Sequence, residues 1–280
     1  FAGFSRETII YILAILSLLL ISQMVQNHTI VDWTLRITGA IALLMIIFYS
    51  IKSEKVVRER LIALTVLIIF SVVFWALFEQ AYTSMNLFAD RVLDREFFGW
   101  TIPGPWFLSL NALFIIIFAP ILAGLWVKLG KYNPNTPVKF SIAIILAGLG
   151  FGALVLGAET TVDGAKVAMI WLVLAYLFHT LGELCLSPVG LSSVTKLAPE
   201  KIVGFMMGVW FLATAGSEFI AVVLANLAKI DTHGGEITDV ALAIETYSNL
   251  FTKLFWTGLI FGGILLVLSP IIKKLMNGIK

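Results

Sequence analysis

Three glutamates stand where a carboxylate is expensive. Of seventeen acidic residues, only Glu79, Glu183 and Glu218 fall deep within long apolar runs. A charge at the centre of a bilayer costs at least ~2.5–3.5 kcal/mol even on the lowest scales, so such a residue must face a bundle interior and needs a partner or a proton. Burial favours the neutral form of a carboxyl group, which makes these glutamates candidates for carrying protons or holding a cation. Glu79 follows Trp75 by four residues, so on a helix the two share a face, and Asn86, seven residues further on, extends that face. Glu183 has His179 one turn before it and Ser187 one turn after it, next to Pro188. Asn111 in one neighbouring run and Trp210 in another add an amide and an indole. Acids, an amide and indoles suit a small zwitterion: a carboxylate pairs with an ammonium, an amide hydrogen-bonds a peptide group, and an indole packs a side chain or faces a cation.

Plainer roles compete with these. His179 beside an apolar face is more often a hydrogen-bonded structural residue than a proton relay. Trp210 fits simple packing, Asn111 fits interhelical hydrogen bonding, and Glu218 fits a water-facing or partnered acid. No metal-ligand spacing and no Ser/His/Asp arrangement stands out, so an intramembrane hydrolase lacks its nucleophile–base pair. No basic stretch interleaved with aromatics points to nucleic acid. The single cysteine, Cys185, excludes an intrachain disulfide and reads as a small buried hydrophobe.

The elements that carry these residues are membrane spans. The chain is 60% hydrophobic and 13% charged, against roughly half and a quarter for a soluble domain. Eight apolar runs of spanning length are expected, at about 8–26, 33–51, 61–88, 106–128, 138–158, 166–196, 202–228 and 247–272. Period-2 alternation, the mark of a membrane barrel, is absent. Most Lys and Arg fall in every second connection: Arg6, then Lys52, Lys55, Arg58 and Arg60, then Lys128, Lys131 and Lys139, then Lys196 and Lys201, then Lys273, Lys274 and Lys280. The opposite side holds Arg36, Arg91, Arg95, Lys166, Lys229 and Lys253. The positive-inside rule then puts both ends of the chain in the cytoplasm and supports an even number of spans. The longest outer connection, about 229–246, is acidic, with Asp231, Glu236, Asp239 and Glu245, and reads as a solvated loop. Asn27-His28-Thr29 matches a glycosylation sequon, a common chance triplet.

Small residues four apart, Gly148/Gly152, Gly204/Gly208 and Gly258/Gly262, mark helix faces where backbones approach closely. Pro120 and Pro188 interrupt two spans and free the carbonyls of Ile116 and Leu184, so the helices are expected to break or bend there. The chain opens on Phe1, and its first apolar run is long enough to span, so it reads as cut from a larger protein rather than led by a cleavable signal.

Four strings, in this order, resemble the proton-dependent oligopeptide transporter family of the major facilitator superfamily. They are Phe74-Trp75-Ala76-Leu77-Phe78-Glu79-Gln80, Ser109-Leu110-Asn111-Ala112-Leu113-Phe114-Ile115, the run His179-Thr180-Leu181-Gly182-Glu183-Leu184-Cys185-Leu186-Ser187-Pro188-Val189-Gly190-Leu191, and Gly204-Phe205-Met206-Met207-Gly208-Val209-Trp210-Phe211. The resemblance implies an all-α integral membrane fold: the superfamily's C-terminal six-helix bundle over 61–280, preceded by two linker helices over 1–60, with the N-terminal bundle absent. It implies proton-coupled symport of di- and tripeptides by alternating access in a cell membrane, with protons as the coupling ion, no cofactor, and the lipid bilayer and the missing bundle as partners. By resemblance, Glu183 matches the acid that takes the peptide's amino end. Glu79 matches the proton-coupling acid, and Trp75, Asn111 and Trp210 match cavity positions. Ser187 is a further substrate-binding assignment, and Ser187-Pro188 matches a region that bends during gating. The other readings are a non-transporting scaffold or sensor, whose acids could be neutralised without loss, and a carrier of another small solute. An anion carrier sits badly with Glu183.

Overall fold

The structure, a computed structural model, describes residues 5–161, 165–228 and 239–279. Nine helices appear among them: α1 (Arg6–Gln26), α2 (His28–Lys52), α3 (Lys55–Phe78), α4 (Ser84–Arg91), α5 (Ser109–Leu129), α6 (Thr136–Glu159), α7 (Met169–Leu197), α8 (Val203–Ala225) and α9 (Val240–Leu275). With α3 and α4 counted as one span over Lys55–Arg91, eight helical segments are long and apolar enough to cross a membrane. Helix starts carry caps where polar residues precede the apolar runs. Ser5 Oγ accepts from the Thr8 amide, Asn135 Oδ1 from Val138, and Asp239 Oδ1 from Leu242. Internal contacts divide the chain into two units, 1–47 and 48–280.

Within the second unit, α6 lies against α9 and α7. Glycines make the first contact possible. A methyl group added at Gly148 would meet Gly258 Cα at 3.0 Å, and one at Gly262 would meet the backbone of Ile145 at 3.1 Å. At that spacing Ser141 Oγ reaches across and donates to the Gly262 carbonyl, 2.7 Å away. Lipid tails supply no hydrophobic drive between helices, so close backbone approach and polar cross-links hold them. Gly204 and Gly208 behave differently: an added methyl at either meets nothing within 4 Å. Their spacing does not mark a packed face in this unit.

The third span is interrupted. Its α-helix stops at Phe78 and a tighter turn takes Glu79–Tyr82. Thr83 then leaves the helical region before α4 begins. No Pro or Gly causes this; side chains hold it. Buried Gln80 donates to the Ala221 carbonyl on α8 (3.0 Å) and accepts from Ser84 Oγ (2.6 Å), while the Tyr176 hydroxyl of α7 reaches the Ala81 carbonyl (3.4 Å). The break resets the helical phase, so the seven-residue spacing does not put Asn86 on the face of Glu79. Neither proline ends its helix: α5 runs through Pro120 and α7 through Pro188. The long acidic connection is also shorter than read. α9 starts at Val240, with Asp239 as its cap and Glu245 inside it, while Lys229, Asp231 and Glu236 lie outside the described residues.

Short strands close one end of this unit. β1 (Leu93–Asp94) pairs in parallel with β4 (Val167–Ala168), and β2 (Glu96–Phe97) with β3 (Trp100–Thr101) as a hairpin.

Candidate functional site

The geometry centres on α5 and α7, which pack side by side. Asn111, in the first turn of α5, donates through Nδ2 to Glu183 Oε2 at 2.8 Å and to Thr180 Oγ1 at 3.1 Å. Thr180 is buried, and its hydroxyl is already committed as a donor to the Tyr176 carbonyl at 2.8 Å. It can therefore only accept from Asn111. This fixes the amide, and the amide fixes one carboxylate oxygen of Glu183. The residues sit on two helices about seventy positions apart in sequence, so the contact depends on helix packing.

Glu183 lines a cavity of about 980 Å³. Ser187, Pro188 and Leu184 continue its wall along α7, and Ile115, Ala119 and Trp126 form the facing wall on α5. The cavity runs toward the end of the bundle that carries Lys131, Lys196 and Lys273. Lys139, almost fully buried, holds its ammonium 4.6 Å from the Trp126 ring centroid.

Glu79 occupies the C-cap of α3, half-buried. Glu218 on α8 and Glu183 on α7 lie within its electrostatic reach, and Tyr82 lies within reach of both Glu79 and Glu183. Three elements, the Glu79–Tyr82 turn, α7 and α8, therefore bring acids and a phenol within electrostatic reach of one another. Among the described residues none of the three glutamates forms an ion pair; the pairs present are Arg36–Asp32, Lys55–Glu59 and Arg95–Asp90. A negative charge on Glu79 also meets the negative end of α3.

The remaining candidates fall outside the cavity wall. Trp75 is ringed by Phe74 and Phe78 on its own helix, with a buried indole N–H that has no partner. Trp210 is buried, edge-on to Phe140, with its six-membered ring in the space that a side chain at Gly190 would fill. His179 is fully enclosed: Nε2 lies 3.0 Å from the Ala147 carbonyl, which makes it the protonated nitrogen, and the ring packs on Phe151 and Phe78. Its place is the α6–α7 seam rather than the cavity.

Thr180, Tyr82 and Lys139 were not singled out from sequence. Thr180 stands three residues before Glu183 and Tyr82 three after Glu79, the spacing that shares a helix face. In sequence Lys139 stands out only as a charge flanking a span.

Fold and site together define a multi-pass membrane protein with an internal polar site. A profile of the POT family matches residues 6–240. The chain is 44% identical over 236 residues to the uncharacterized transporter YclF of Bacillus subtilis (strain 168), covering 84% of this chain and 45% of that protein. It is 36% identical over 235 residues to the peptide transporter YePEPT of Yersinia enterocolitica subsp. palearctica, covering 82% and 44%. A crystal structure of the peptide transporter POT in complex with sulfate superposes with a TM-score of 0.74 at 34% identity, over 97% of this chain and 54% of that one. This chain belongs to the POT family. Its fold is the major facilitator arrangement of that family, a C-terminal-type six-helix bundle preceded by two further spans, and it covers about half the length of the relatives it matches.

Proposed function

We propose that this chain supplies one half of a proton-coupled symporter of di- and tripeptides that works by alternating access. The observation that carries the reading is the Asn111–Glu183 pair: an oriented carboxylate on a large cavity, in no ion pair among the described residues. Such a group selects an ammonium ion, and the α-ammonium of a peptide supplies one. Asn111 holds one oxygen in place, so the other is free to point at the ligand. Ser187 adds a hydroxyl one turn along the same wall. Trp75, with its unpartnered indole N–H, and Trp210, enclosed here beside Gly190, stand outside the cavity wall and reach a ligand only in another conformation of the cycle.

Glu79 is the proton carrier in this reading. It faces two other acids and a helix C-terminus, so its charge needs a proton or a cation supplied from outside this unit. A second six-helix bundle provides that cation. Protonation of Glu79 releases it and shifts the balance between outward- and inward-facing states, since a ligand moves an equilibrium only through its differential affinity for the two. Pro188 gives α7 a missing hydrogen bond beside the cavity, where the helix bends as the inner gate opens. Residues 1–60 serve as the two linking helices and 61–280 as the bundle. Both ends are cytoplasmic, and the cavity faces the cytoplasm at its lysine-lined end.

Equilibrium binding of a dipeptide and of its N-acetyl derivative to the complete transporter tests the anchor. The dipeptide is expected to bind and the acetylated form to lose most of its affinity, and Glu183→Gln should erase the difference between them. Equal binding of the two forms by the wild-type protein would remove Glu183 from this role.

A further inference from the structure

The connection between α4 and α5 carries a feature that transport does not use. Its hairpin β2–β3 pairs Phe97 with Trp100 and Glu96 with Thr101. Residues opposite each other on paired strands project to the same side. One face is therefore aromatic and the other polar. The turn between them is Phe98-Gly99, with positive φ at both residues, +49° and +79°. Asn or Asp is the ordinary residue before Gly in such a turn, and a bulky side chain there is strained. Phe98 gains little from the protein in return: it is 95% exposed and touches the edge of Phe97 alone among aromatic rings.

The hairpin is nevertheless held firmly. Arg95 Nη1 donates to the Ile102 carbonyl at 2.9 Å and lies 3.4 Å from Asp90 Oδ1, and the Ile102 amide returns a bond to the Arg95 carbonyl at 2.9 Å. Its height is fixed as well, because three span ends meet here. Arg91 closes one span, Gly104 opens the next, and Met169 opens a third directly after β4. The aromatic face therefore stands beside the ends of three helices long and apolar enough to cross a membrane. Trp106, 59% exposed, stacks edge-on with Trp100 at 5.2 Å. Beside them is a cavity of about 410 Å³ whose lining is almost wholly apolar, including Phe97, Ile102, Trp106, Leu110, Ile170 and Val173. Ile170 in its wall is exposed, and so are Leu113 and Ile117, three and seven residues beyond Leu110 on α5.

We propose that the hairpin is an interfacial anchor, Phe98 and the Phe97/Trp100 face entering the lipid, and that the cavity beside it takes the upper part of a phospholipid acyl chain. Amphipathic aromatic rings settle at the headgroup level of a bilayer. A cavity with almost no polar surface at that depth offers water few partners and fits a hydrocarbon chain. The strained Phe98 is then explained by a partner outside the protein.

Cysteines introduced one at a time by Phe98→Cys and Glu96→Cys, in the complete transporter with Cys185→Ala, are spin-labelled in phospholipid nanodiscs. Oxygen concentrates in hydrocarbon and a nickel chelate stays in water. The Phe98→Cys label is expected to be relaxed by oxygen and shielded from nickel, and the Glu96→Cys label to show the reverse. For the cavity, Ile102→Cys carrying a fluorophore is expected to be quenched by lipids brominated near the top of the acyl chain, and Glu96→Cys much less. Equal nickel access at Phe98→Cys and Glu96→Cys would overturn the anchor, and equal quenching at Ile102→Cys and Glu96→Cys would overturn the acyl-chain site. All three positions are outside the proposed transport site, so peptide binding in the labelled proteins reports separately on the transport reading.

Discussion

Replacing Asn111 by leucine keeps the branched shape of the side chain and removes the amide that holds Glu183. A hydrogen bond to a charged group is worth ~1.5–3 kcal/mol, so Asn111→Leu is expected to weaken dipeptide binding by roughly ten- to a hundredfold. Glu183 lies on a cavity, so water satisfies the freed oxygen and the melting temperature should change little. Isothermal titration beside a thermal melt reads both, and unchanged affinity would mean that the carboxylate needs no orientation. The ingredients of this pair were legible in the sequence, because an acid and an amide within apolar runs stand out by type alone. Their contact was not legible, since it depends on the register of α5 against α7. Trp210 makes the same point from the other side. An indole in a span is visible as an aromatic, but the slot beside Gly190 that encloses it exists only once α7 and α8 have packed.

At the scale of elements, glycines give opposite expectations according to what they face. Gly258→Ala would set a methyl 2.5 Å from Gly148 Cα, backbone against backbone, with no flexible side chain to yield. Overpacking of this kind costs ~1–3 kcal/mol. Gly208→Ala meets nothing within this unit and removes a residue that weakens a helix by ~0.5–1 kcal/mol. A detergent thermal-shift series should therefore lower the midpoint for Gly258→Ala and leave it level or raise it for Gly208→Ala. A loss at Gly208 would show that its face is covered by something in the complete protein. The i, i+4 spacing is identical in both pairs, which is why sequence alone grouped them. The spans themselves were legible because length and hydropathy suffice to mark them. The break at Glu79–Thr83 was not, because Gln80 and Tyr176, two polar side chains with distant partners, hold it in place of Pro or Gly. The paired strands are two residues long each, too short for alternation to show.

For the whole molecule, the decisive feature is an imbalance. The unit carries three intramembrane glutamates without ionic partners among the described residues, two of them acting on the third. A protein that only spanned the membrane would gain nothing from them, whereas a carrier that exchanges protons and ammonium groups at this place needs them unpaired. The direct test is uptake of a labelled dipeptide by the complete transporter in liposomes under an inward proton gradient, with Glu183→Gln and Glu79→Gln alongside. The account predicts that the wild-type protein accumulates peptide, that Glu183→Gln loses affinity, and that Glu79→Gln loses gradient-driven accumulation while still exchanging peptide across the membrane. Wild-type liposomes that take up no dipeptide, or a Glu79→Gln protein that accumulates it as well as wild type does, would contradict it.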